Sequence, residues 1–252
     1  MPHFCSRLVL FTVVSVSFFA GFTAPVAAQE ATPAGANEIV ILASDESYVG
    51  VTRGEWDARW WQWTVSMPQD INPNFDLTGE RCGYGQSGPV FFLPADFTGE
   101  PATVTCIVPA GTAILVGVAG SECSSVEPLP YFGRNEEELR ACAAANTDAI
   151  TDLQASLNGR EVPNLETYRT SSPLFTLTFG EDNLIGVPAG VAWSVSESYS
   201  FIIPPLPPGE YGITLSALYG GELALGRSYR VIVRAPLVIE PAATPETGTP
   251  VP

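Results

Sequence analysis

The sequence predicts an antiparallel β-sandwich decorated by two helices. Short runs of Val, Ile, Leu and Phe recur along the chain, Pro and Gly punctuate them, and only two segments carry helical periodicity instead. Runs at 38 to 43, 89 to 93, 103 to 108, 112 to 118, 173 to 179, 191 to 203, 211 to 218 and 226 to 234 read as strands.

In chain order, Arg7 precedes an apolar run from Leu8 to Phe22, and Val26 and Ala28 suit cleavage before Gln29. Residues 1–28 are therefore expected to be a signal peptide and 29–37 a flexible leader. A single β-rich domain follows over 38–236, with a Pro/Thr-rich tail over 237–252. The apolar run is short for a membrane span and no second one follows, so a secreted or extracytoplasmic product without membrane insertion is expected.

The first helix is expected over about 53–66. Thr52 and Glu55 form a capping box and Pro68 ends it. Trp56, Trp60, Trp63 and Met67 share one face, while Trp61, Val65 and Ala58 make a second apolar sector. Two sectors imply two contacts. Burial is one outcome for Trp61; the other is a platform on which a sugar ring stacks.

In the loop that follows, Asp70, Asn72, Asn74 and Asp76 alternate as the oxygen ligands of a calcium loop do. Phe75 stands where the turn glycine belongs and Arg81 where the bidentate Glu belongs, and Asn and Asp are also turn formers. Calcium is thus a weak expectation, and no other cofactor is indicated.

The second helix is expected over about 136–152, with Asn135 as its cap and Glu136, Glu137 and Glu138 in its positive first turn. Asn158-Gly159 then marks a tight hairpin turn between 153–157 and 160–162. Val108-Pro109-Ala110-Gly111-Thr112-Ala113 and Val187-Pro188-Ala189-Gly190-Val191-Ala192 echo each other, as one turn chemistry used twice. Leu206 to Leu215 with Tyr229 to Val233 resembles the closing strand pair of jelly-roll and immunoglobulin-like sandwiches.

Composition narrows the chemistry. The only His is His3 and there is no Lys, so the expected mature chain has neither. Nucleophiles activated by imidazole, Schiff-base lysines and His-based zinc sites are excluded there. Loss of Arg7 with the signal takes the formal net charge from −16 to −17, which disfavours nucleic acid as a partner. Cys82, Cys106, Cys123 and Cys142 remain, an even number that suits two disulfides in an exported chain. Three pairings are open. Cys82 with Cys106 and Cys123 with Cys142 would each close a local loop.

Asp57, Asp70, Asp76, Glu80 and Asp96 lie near aromatic residues in the sequence, as the two carboxyls of a glycosidase would. Linear sequence does not give their separation. The expected function is a non-catalytic extracellular binding or structural domain, with carbohydrate or another cell-surface protein as partner. The rival is a carboxylate-dependent hydrolase acting on glycans.

Four motifs stand out: Trp56-x3-Trp60-Trp61-x-Trp63, Asp76-x-Thr78-Gly79-x2-Cys82, Gln86-x-Gly88-Pro89-Val90-x-Phe92-Leu93 and Cys106-x-Val108-Pro109-Ala110-Gly111. Together they resemble a family of exported bacterial proteins that has no assigned activity. The resemblance covers most of the expected mature chain and implies no catalytic residue. The resemblance implies His at position 211 in many relatives, so Tyr211 argues mildly against an essential imidazole there.

Overall fold

Thr52 and Glu55 bond reciprocally at the start of α1 (Arg53–Val65), as the capping box requires. The computed structural model describes residues 39–100 and 102–235. The expected signal peptide, leader and tail lie outside the described residues. Asp57 points from α1 into the protein, where Ser196 and Ser198 donate to its two carboxylate oxygens at 2.6 and 2.8 Å. This bond set pins the helix to β8 (Gly190–Ile203).

Two five-stranded sheets form the body. In the first, β1 (Val90–Phe92), β3 (Ala113–Ser124), β8 and β6 (Arg169–Ser171) lie side by side. β7 (Phe175–Phe179) continues along the same edge of β8. In the second the order is β2 (Thr103–Pro109), β10 (Leu223–Arg234), β9 (Gly209–Tyr219), β4 (Ile150–Leu157) and β5 (Arg160–Glu161). The strands are mostly antiparallel, as expected, but β1 with β3 and β2 with β10 pair in parallel, so both sheets are mixed.

Period-two alternation sorts the apolar residues into two layers. Ile114, Val116, Phe201 and Ile203 of the first sheet meet Val104, Val108, Ile213, Leu215, Val231 and Val233 of the second. On the other face of the first sheet, Leu115, Leu177, Phe179 and Ile202 pack against α1. Leu139 and Ala143 of α2 (Glu136–Asp148) cover Cys123 and Val195 of the first sheet, where the second sheet does not reach.

The expected helix over 136–152 stops at Asp148, and Ile150 opens β4 instead. Ile150 is worth more in the inter-sheet core than on an exposed helical turn. No strand forms over the described part of 38 to 43; Leu42 only donates its N–H to Ile202 O at 2.9 Å. The Asn158-Gly159 hairpin is present, with both residues at positive φ as a tight turn requires. The two echoing segments differ: Gly111 turns left-handed between strands of different sheets, whereas Gly190 begins β8.

Cys82 is bonded to Cys106 and Cys123 to Cys142. Among the described residues no helix is long and apolar enough to cross a membrane.

Candidate functional site

The residues conspicuous in the sequence turn out to be structural. Trp56, Trp60, Trp61 and Trp63 are 3, 7, 8 and 8% exposed. Three of them donate their indole N–H to backbone carbonyls: Trp56 to Tyr48, Trp60 to Leu93 and Trp63 to Tyr84. Trp61, the expected stacking platform, is closed: Trp60 and Phe97 meet it edge-on at ring-centroid distances of 5.1 and 6.4 Å. Its apolar area is worth more under that cover than in water.

The expected calcium loop is also committed elsewhere. Asn72 and Asn74 are fully buried; Asn72 Nδ2 donates to Thr64 O and Asn74 Nδ2 to Asn72 Oδ1, both at 2.7 Å, while Asn74 Oδ1 accepts from Ala95 N. Asp76 accepts from Thr78 N and Oγ1 and from Arg81 N. These bonds, working against its partial burial, hold its carboxyl below the ordinary carboxylate range. Asp70 lies exposed and its carbonyl accepts from Arg81. Asn72, Asn74 and Asp76 are thus spent on bonds within the fold, while the Asp70 side chain faces solvent.

The other motif residues behave alike. Gln86 donates to Cys82 O and Phe92 O and accepts from Phe92 N. A Cβ on Gly79 would come within 2.3 Å of Thr105 O, so only glycine lets the second motif lie against β2. Arg227 and Asp96 form a buried pair at 3.1 Å beside an open depression of about 230 Å³. Arg227 also donates to Asp76 O, so this pair ties two loops to β10.

Of the five acids near aromatics, Asp70 and Glu80 are exposed, Asp76 and Asp96 cap turns, and Asp57 is sealed under α1. Burial pushes the Asp57 carboxyl up to about 6, against the pull of Ser196, Ser198 and Arg53.

Among the exposed large apolar residues, which also include Tyr84, Val126 and Leu129, two lie close together on the β7–β8 pair. Trp193 is 56% exposed and Val191 67%. Thr176 lies directly across from Trp193 and Thr178 across from Val191, and both threonines are exposed. Directly opposed residues share a sheet face, so an indole, an aliphatic group and two hydroxyls lie side by side there. Phe175, Leu177, Phe179 and Ala192 alternate to the other face, under α1. The backbone of Trp193 is fixed on its other flank: Ser125 N donates to Trp193 O at 2.9 Å and Trp193 N to Ser125 Oγ at 3.1 Å.

Sequence reasoning passed over Trp193 because it sits singly inside a strand. Alternation over 191 to 195 points the other way, since Val191, Trp193 and Val195 read as the apolar face and only Val195 is buried.

No family model matches this chain, and neither the curated proteins nor the solved structures compared with it give a match.

Proposed function

We propose that this chain is a non-catalytic, secreted binding domain of the exported bacterial kind its motifs resemble, and that it holds a neutral carbohydrate on the Trp193 strip. The observation that carries the reading is the exposure of Trp193 beside Thr176. A strand-borne indole offers a flat apolar face to a sugar ring, and adjacent hydroxyls bond the ring's own hydroxyls. None of the four strip residues is charged, in a protein of strongly acidic surface, which suits an uncharged ligand. The two disulfides support an oxidising destination.

A glycan hydrolase would need two carboxyls about 5 to 9.5 Å apart across a cleft. Glu122 and Glu127 act on each other, and both are buried. Sealed from solvent, this pair lends the rival no support.

Retention of the mature protein on insoluble glucan and on chitin tests the proposal. Wild type should be retained on at least one, and Trp193→Ala should lose about 2 kcal/mol of affinity, the scale of a tryptophan hot spot. Equal retention of both proteins, or of neither, refutes it.

A further inference from the structure

At and just beyond the end of β3 two carboxyl groups are buried, and among the described residues no cation is paired with them. Glu122 is 3% and Glu127 6% exposed, and the charge of Glu127 acts on Glu122. The groups acting on Glu122 are Glu127 and Ser194, and those acting on Glu127 are Glu122 and Ser124. None is positively charged.

Two further atoms there lack a partner. Glu127 Oε2 and Ser124 Oγ are both buried without a hydrogen bond, although Ser124 lies against the Glu127 carboxyl and is fully buried. Native proteins rarely leave such atoms unsatisfied, and an ion or water commonly completes the set. Ser194 Oγ donates to Glu122 Oε1 and so holds that carboxyl in place.

We infer that Glu122, Glu127 and Ser124 form a cation site that takes one calcium ion. Every donor is oxygen, which selects a hard ion over zinc or copper. Two carboxylates and one hydroxyl supply up to five oxygens, close to the six to eight that calcium takes; magnesium would demand strict octahedral geometry and several retained waters. A proton shared by the pair would also relieve the repulsion.

No group of three or more His, Cys, Asp or Glu side chains gathers among the described residues, so the site rests on two carboxylates completed by a hydroxyl. It is distinct from the loop at 70–76. Because Ser125 follows Ser124 and bonds the backbone of Trp193, a bound ion would also steady one flank of the strip.

The test uses the mature protein, freed of metal with EDTA and held at pH 7.5. Calcium chloride at a hundredfold excess over its Kd should raise the thermal midpoint on the order of 5–10 °C, whereas sodium chloride of equal ionic strength should not. Terbium should show luminescence sensitised by tryptophan, displaceable by calcium. Glu127→Gln should abolish both effects. Ser124→Ala, which keeps both carboxylates and therefore the charge, should weaken them if the glutamine variant does not fold. Absence of a calcium shift and of terbium luminescence in wild type overturns the inference and leaves a proton as the occupant. So does a response that survives Glu127→Gln unchanged.

Discussion

Tryptophan serves two opposite purposes in this molecule. On α1, four indoles within eight residues are at most 8% exposed, locked to Phe92 and Phe97 and to the carbonyls of Tyr48, Leu93 and Tyr84. On β8, a single indole is 56% exposed and faces hydroxyls. The crowded motif is the foundation and the solitary residue is the candidate site. A dense aromatic pattern provides large buried area and so belongs with the core, whereas an exposed aromatic has no fold to hold and is the more informative signal of binding.

The contrast can be broken by substitution. Trp60→Ala should cost about 3–5 kcal/mol in urea unfolding, the usual loss for a buried indole, and Trp193→Ala less than about 1 kcal/mol. Equal losses would erase the distinction between the two regions.

Asp57 sharpens it, because its hydrogen bonds to Ser196 and Ser198 tie the helical region to β8. Its folded pKa, about 6, lies above the unfolded value near 3.8, so the folded state keeps a proton that the unfolded state releases. The stability associated with this group is fully present below about pH 4 and is lost as pH rises to 6. That change amounts to about 3 kcal/mol, and Asp57→Asn should remove it from the pH profile measured by chemical denaturation.

Smaller effects belong to the strip. Thr176→Val keeps the shape of the side chain but removes its hydroxyl, and should weaken glycan binding by about 1 kcal/mol with the thermal midpoint unchanged. An unchanged affinity in a binding titration would confine recognition to Trp193 and Val191.

Much of the architecture was legible in the sequence. Pro and Gly punctuation located the long strands, the capping box located α1, and Asn158-Gly159 located its hairpin, because these signals act over a few residues. The helix at 136–148 was overextended because its apolar periodicity runs on into β4, and only the sheet decides which element Ile150 joins. The short β6 and the parallel pairings depend on distant partners and leave no local mark.

The site was less legible. Trp61 and the loop at 70–76 matched local patterns for stacking and for calcium, yet packing against Phe97 and bonding to Thr64 and Ala95 commit them to the fold. Trp193 needed the alignment of β7 with β8 to acquire its threonine neighbours.

Acrylamide quenching of tryptophan emission tests the division of labour most directly. Wild type should show one readily quenched component that a bound oligosaccharide shields, and Trp193→Phe should remove that component while leaving the protected emission of α1. A quenchable component that survives Trp193→Phe, or one that no oligosaccharide retained by the protein shields, would contradict the account.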